Sequence, residues 1–222
     1  MKALILAGGF GTRLARISGG KPKPLMEVAG RPILERQINF LFSHGMNDIR
    51  LSLHHKADQI MEFCESKWPG AFEYIVEPMP LGTGGGVHLA SKDLKEPFLV
   101  VNGDILSDVN IREFAAGAPN AIVGAYQDDA RSFGLLKIND GKITSFLEKP
   151  KEMQGGYINA GFYLLRPDVF SHVTTDAFMM EKDIFPQLAG TGKLNVFLHN
   201  GYWVDCGTEE RLAQADNYHK KV

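Results

Sequence analysis

The residues best suited to chemistry lie at the start of the chain. Leu4-Ile5-Leu6-Ala7-Gly8-Gly9-Phe10-Gly11-Thr12-Arg13 leads into a loop that ends Lys21-Pro22-Lys23-Pro24-Leu25. Gly8, Gly9 and Gly11 remove the Cβ atoms that would hold a ligand away from the backbone, and they tolerate positive φ. Successive N–H groups in such a turn can hold an anion. From Gly8 to Met26 there is no Asp or Glu, whereas Arg13, Arg16, Lys21 and Lys23 all occur, in a chain of formal net charge −2. That one-sided charge points to a polyphosphate at the carboxyl end of a first strand.

Other chemistry-bearing residues sit where further strands end. Glu77 precedes the glycine loop Gly82-Thr83-Gly84-Gly85-Gly86, Asn102-Gly103-Asp104 follows Phe98-Leu99-Val100-Val101, and Asp205 follows Tyr202-Trp203-Val204. Ligands of an open parallel sheet bind beyond the carboxyl ends of its strands, so Asp104 and Asp205 can converge there. Two hard carboxylates beside a phosphate site suit Mg2+, which keeps several waters. His54 and His55 are neighbours on a strand and face opposite ways, so both read as structural or surface residues rather than ligands. Phe178-Met179-Met180 reads as packing or a subunit contact.

The elements that must position these groups alternate. Leu4 to Leu6 is a strand apolar on both faces, which needs cover on both sides. Leu34, Ile38, Leu41 and Phe42 mark one helical face, with Pro32 in its first turn and Gly45 as its stop. Ile49–Leu53, Phe72–Val76 and Phe98–Val101 read as strands, with a helix around Ile60–Cys64 and a short one over Val87–Ala90. Such β–α alternation predicts right-handed crossovers and a mostly parallel, Rossmann-like sheet covered by helices. The second half reads as strands at Ala121–Tyr126, Leu135–Ile138, Ile143–Leu147, Phe162–Leu165, Val196–Leu198 and Tyr202–Val204. Helical pieces fall near Pro167–Val173, Lys182–Leu188 and Thr208–Tyr218. The expectation is a single α/β domain over 1–222, with a more antiparallel lobe in residues 111–222 added to a nucleotide-binding half in 1–110.

Composition narrows the function classes. A chain of 222 residues with 44% hydrophobic content can bury a core, and its near-neutral charge argues against bulk nucleic-acid binding. No apolar run approaches the ~20 residues that span a bilayer, and no signal-peptide layout opens the chain. Cys64 and Cys206 are too few for a disulfide scaffold, which fits a reducing cytoplasm.

Taken in order, Gly8-Gly9-x-Gly11-Thr12-Arg13-Leu14, Pro22-Lys23-Pro24-Leu25, Leu81-Gly82-Thr83-Gly84-Gly85, Asn102-Gly103-Asp104, Glu148-Lys149-Pro150, Asn159-Ala160-Gly161 and Trp203-x-Asp205-x-Gly207-Thr208 closely resemble the sugar-1-phosphate nucleotidyltransferases, the NDP-sugar pyrophosphorylases. The resemblance covers nearly the whole chain and implies the nucleotide-diphospho-sugar transferase fold, with a sugar-binding second lobe. It implies that Arg13 holds the β- and γ-phosphates of an NTP and that Lys23 contacts the reacting phosphates. Leu6, Ala7, Gly8, Gly9, Gly11 and Thr12, with Gly82, Thr83, Gly84 and Gly85, would grip the nucleotide. Asp104 and Asp205 would bind Mg2+, and Asn102, Gly134, Glu148, Lys149 and Asn159 would line the sugar-phosphate pocket. Arg16 and Lys21 would supply only field.

The partners implied are an NTP and a sugar 1-phosphate, with a homodimer open and with no nucleic acid and no membrane. The branch resembled most is guanylyl transfer to mannose or heptose 1-phosphate, with uridylyl transfer to N-acetylmuramate or another hexose 1-phosphate as the alternative and a non-catalytic nucleotide-sugar sensor or regulatory subunit as another. Family members often carry a Pro and a Thr after Arg-Leu. Here Ala15 to Gly20 replaces them, so a more mobile loop is expected.

Overall fold

The computed structural model describes residues 1–221. β1 (Lys2–Leu6) runs into the glycine loop, and a two-strand hairpin, β2 (Glu27–Val28) and β3 (Arg31–Pro32), leads to α1 (Ile33–Ser43). β4 (Asp48–Leu53), α2 (Ala57–Lys67), β5 (Phe72–Val76), α3 (Gly82–Ser91) and β6 (Phe98–Asn102) follow. Strands β5, β4, β1 and β6 lie side by side and all run parallel. The period-2 alternation of β1 explains its central place. Ala3 and Ile5 enter one core with α1 and α2, and Leu4 enters a second core with α3.

The second half continues with β7 (Ile105–Ser107), α4 (Ile111–Ala115), β8 (Ala121–Gln127), β9 (Gly134–Asn139), β10 (Lys142–Glu148) and β11 (Gly156–Leu165). α5 (Phe185–Gly190), β12 (Asn195–His199), β13 (Trp203–Asp205) and α6 (Glu209–His219) complete it. β11 joins β6 antiparallel, and β8, β12, β10 and β9 extend the same nine-stranded sheet. Within this extension only β8 and β12 run parallel, so the lobe is mainly antiparallel. Asp140 and Gly141 take φ of 48° and 72° between β9 and β10, the positive values a type I′ hairpin turn needs. No helix among the described residues is long and apolar enough to cross a membrane.

A third, small core decides where the site forms. Leu14 and Met26 from the N-terminal loop, Ile33, Leu106, Val204, Cys206 and Ala215 pack together. They clamp that loop onto β7, β13 and α6. Cys64 and Cys206 are both free and buried, and burial pushes both thiols up to about 12.

Several elements differ from the sequence reading. The segment Gly82–Gly86 is the first half of α3, not a loop. A Cβ on Gly84 would meet the Phe178 ring at 2.3 Å, and one on Gly85 would meet the Asp176 carbonyl oxygen at 2.3 Å. These glycines let a helix lie against the 176–179 segment, a close approach that loop flexibility does not explain. Gly85→Ala is expected to destabilise the fold by about 1–3 kcal/mol through overpacking, although alanine alone would gain about 1 kcal/mol of helix propensity. A urea midpoint equal to or above that of the parent would overturn this. The Pro167–Val173 piece is a 3-10 turn over Pro167–Phe170, and a π turn over Met180–Ile184 leads into α5. β2, β3, β7 and α4 are too short for a hydrophobic period to mark them.

Candidate active site

The loop after β1 is held from three directions. Ala7 N–H donates to the Ser52 carbonyl at 2.9 Å, and Gly103 N–H donates to the Leu6 carbonyl at 2.9 Å. A Cβ on Gly8 would stand 2.9 Å from His54 N. Gly11 takes φ 61°, and a Cβ there would lie 3.0 Å from Lys23 Cβ, so this glycine lets the Lys23 stem pass. Nothing stands within 4 Å of a Cβ on Gly9, whose backbone is open. The four cations of the loop divide into two pairs. Arg16 reaches Glu209 at 3.5 Å and Lys21 pairs with Glu27 at 2.9 Å. Arg13 has no ion-pair partner among the described residues, and Lys23 binds Asp104. The segment expected to be mobile is also tied by Lys56, whose ammonium donates to the Gly20 carbonyl.

Strand pairing brings the two aspartates together. β7 and β13 run antiparallel with Asp205 opposite Ile105, next to Asp104, and Cys206 N–H donates to the Asp104 carbonyl at 2.8 Å. Asp205 Oδ2 accepts from Arg211 at 3.0 Å, while its buried Oδ1 has no partner. Burial first, then the charge of Asp104, raises the Asp205 pKa above the ordinary carboxylate range. An orphaned carboxylate oxygen beside a second carboxylate at a phosphate-type loop fits a hard divalent cation. Among the described residues no cluster of three or more His, Cys, Asp or Glu can hold a metal. Waters and substrate oxygens would therefore complete the coordination, as Mg2+ prefers.

A cleft of about 380 Å3 opens over the glycine turn and Asp104, with Asp205 behind its lining. Leu6, Ala7, Gly8, Gly9, Gly11, Thr12, Arg13, Lys23, Gly82, Thr83, Asn102 and Asp104 all line it. Gly84 and Gly85 do not, because they are buried in α3 against Phe178 and Asp176. Ser52, His54, Glu77 and Met179 line the cleft as well; the sequence reading set Glu77 at a strand end without a role, took His54 as structural or surface and Met179 as packing or a subunit contact, and did not single out Ser52. His54 follows the end of β4, with Nδ1 3.1 Å from the Glu77 carbonyl, and both His54 and His55 lie against the Phe10 ring. Glu77 follows β5, and its two oxygens accept from Leu81 N–H at 3.0 Å and the Ser52 hydroxyl at 3.3 Å. Their places at the carboxyl ends of parallel strands were the available signal.

The sugar-side residues are less uniform. Asn159 donates to the Tyr163 hydroxyl at 3.1 Å and accepts from Gly161 N–H at 3.0 Å, so it shapes an irregularity in β11. Asn102 donates to the same hydroxyl at 3.3 Å. A Cβ on Gly134 would strike the Phe146 ring at 2.3 Å, a packing requirement. Lys149 pairs with Glu148 at 3.2 Å, and Lys149 N–H donates to the Phe133 carbonyl at 2.9 Å. Phe133 stands edge-on to Trp203 at 5.3 Å, and the Arg211 guanidinium covers its ring at 4.4 Å. This stack joins the sugar-side turn to Asp205 and was not read from the sequence. Glu181, also missed, accepts from the Thr83 hydroxyl at 2.6 Å, and burial raises its pKa.

The family profile described as Nucleotidyl transferase matches residues 2–221. The chain belongs to this family. It is 36% identical over 221 residues to a mannose-1-phosphate guanyltransferase of Aspergillus fumigatus, covering 93% of this chain and 61% of that protein. It is 35% identical over 219 residues to the mannose-1-phosphate guanylyltransferase catalytic subunit beta of Dictyostelium discoideum, again 93% and 61%. The chain thus spans about three fifths of the length of these curated relatives. Among solved structures, HddC from Yersinia pseudotuberculosis complexed with GMP-PN matches with a TM-score of 0.85 and 33% identity, covering 98% of this chain and 99% of that one. The nucleotidyltransferase fold expected from the motifs is the fold observed.

Proposed function

We propose that the chain transfers a nucleotidyl group from an NTP to a sugar 1-phosphate and releases pyrophosphate, with GTP and a mannose- or heptose-type 1-phosphate as the substrate pair. The observation that carries this reading is one cleft lined by Arg13, Lys23 and Asp104 at the glycine turn, with Glu77 on its wall. A sugar-phosphate oxygen attacks the α-phosphorus in line, and the bond to the β-phosphate breaks. Both reactants are anions and the nucleophile is already ionised, so the barrier is charge and positioning, with no general base required. Arg13, without an ion-pair partner among the described residues, neutralises the leaving pyrophosphate. Lys23 stands between the attacking and attacked phosphates. Asp104 and Asp205 would hold Mg2+, which supplies further charge neutralisation when bound. Glu148 and Lys149 serve the sugar phosphate through their side chains, whereas Gly134 and Asn159 shape the pocket. The two unpaired cysteines support a reducing compartment, the cytoplasm.

Glu77 supports the choice of base. A carboxylate offers about four lone-pair sites and no donor, and two are in use. Guanine presents adjacent N1–H and N2–H2 donors to such a group, whereas uracil presents one N–H flanked by carbonyls that it would repel. HddC was solved with GMP-PN, which agrees. The test is Mg2+-dependent pyrophosphate release for four NTPs against mannose, heptose, glucose and N-acetylmuramate 1-phosphates. Guanylyl transfer should dominate. UTP with N-acetylmuramate 1-phosphate as the best pair would refute the base reading, and no release with any pair would leave a sensor. Glu77→Gln is expected to lower kcat/KM for GTP about 10–100-fold, the discrimination of 1–3 kcal/mol that a bidentate base contact provides, and to narrow the gap to UTP.

A further inference from the structure

A second cavity of about 180 Å3 lies between α1, β7 and the C-terminal end of α6, outside the cleft. Arg31, Arg36, Gln37, Ser107 and His219 line it, with Phe40 and Phe162 as aromatic wall. Neither arginine has an ion-pair partner among the described residues. The nearby carboxylates are engaged elsewhere, Glu35 with Lys67 at 3.0 Å and Asp216 with Lys220 at 2.5 Å and Ala29 N–H at 2.7 Å. Arg36 donates to the Val28 carbonyl at 2.8 Å and lies 3.3 Å from His219 Nδ1. A guanidinium only donates, so Nδ1 accepts and the imidazole proton sits on Nε2. Burial, then the Arg36 charge, lowers the His219 pKa and keeps the ring neutral. His219 Nε2 and Gln37 Oε1 are both buried without partners. Paired arginines, an unpartnered N–H donor and an unpartnered amide acceptor are the complement of a phosphate that also carries a hydroxyl. Unsatisfied buried atoms in a native fold call for such an account.

We propose that this cavity is a second ligand site, taking a small phosphate monoester through Arg31, Arg36 and His219, with Gln37 accepting its hydroxyl. At about 180 Å3 it falls below the ~300–1,000 Å3 of a full ligand pocket, so a phosphate with a small hydroxylated body fits and a nucleoside triphosphate does not. The site also has a physical route to the cleft. Gln37, 3% exposed, donates through its amide nitrogen to the carbonyls of Asn102 at 2.8 Å and Ile105 at 2.7 Å. Those carbonyls bracket Gly103-Asp104, so an occupant that engages Gln37 biases the turn carrying Asp104. This coupling rests on the proposed activity, whereas the binding does not.

Two measurements separate them. Calorimetric titration of inorganic phosphate into the Arg13→Ala/Lys23→Ala protein should show one saturable site. Adding Arg31→Glu, at an exposed position in the β2–β3 hairpin, should weaken it at least tenfold, and the milder Arg31→Ser should weaken it less. No saturable site in the double variant, or equal affinity with and without Arg31→Glu, would overturn the site and leave a solvent-filled cavity. In the otherwise unaltered protein, phosphate should change the rate in a part that saturating NTP and sugar phosphate do not relieve and that Arg31→Glu removes. Full relief by substrate would overturn the coupling while leaving binding to the first test.

Discussion

Lys23→Ala is expected to lower kcat about 100–1,000-fold, the usual loss when one preorganised charge donor is removed from an anionic transition state. Lys23 is fixed more tightly than most lysines. Pro22 and Pro24 flank it, its stem passes Gly11, and its ammonium is held on Asp104 with only 15% of the side chain exposed. Lys23→Arg should not restore the rate, because a longer planar fork does not replace a point charge at a crowded site. Steady-state pyrophosphate release gives the measurement, and a Lys23→Ala rate within threefold of the parent would refute the role. The same variant carries a second signature. Lys23 and a divalent cation compete for Asp104, so removing the lysine should enlarge the thermal stabilisation that Mg2+ provides. A merely structural lysine would leave that shift unchanged.

Asp104→Asn and Asp205→Asn should each reduce Mg2+-dependent turnover about 1,000-fold. Loss of a metal removes several kcal/mol of charge stabilisation, and each 1.36 kcal/mol is tenfold. Because the two carboxylates would serve one ion, the double variant should be hardly worse than either single one. Mn2+ binding followed by electron paramagnetic resonance gives a readout independent of turnover, and unchanged affinity in both single variants would refute the pair. The raised pKa of Asp205 adds a pH dependence. A metal needs the ionised carboxylate, and this one takes up its proton at higher pH than an ordinary aspartate. Mn2+ affinity should therefore begin to fall on acidification earlier than two unperturbed aspartates would allow.

Local information was enough for the turn chemistry and for most of the elements. Gly11 adopts the positive φ its residue type permits, β1 is apolar on both faces and buried on both, and the Asp140-Gly141 turn closes the hairpin its letters specify. The charge asymmetry of Gly8 to Met26 also pointed to the segment whose Arg13 and Lys23 line the cleft, because no acidic residue interrupts it. Reading Gly82–Gly86 as a loop failed for a specific reason. Glycine lowers helix propensity, but here it lets α3 approach the backbone of residues 176–179, and that neighbour is far away in sequence.

By itself, then, the sequence determined the strand–glycine–cation unit, the alternation that makes a parallel sheet and the motif set of the family. These depend on residues within a few positions of one another. Only the tertiary structure decided which groups share a site. The β7–β13 ladder sets Asp205 beside Asp104, Arg16 and Lys21 reach surface carboxylates while Arg13 has no ion-pair partner among the described residues, and Gly84, Gly85, Gly134 and Asn159 lie outside the lining of the cleft. Non-local pairing and close packing have no signature in a local period, which is also why Arg211, Glu181 and the cavity at Gln37 came to light only in the folded chain.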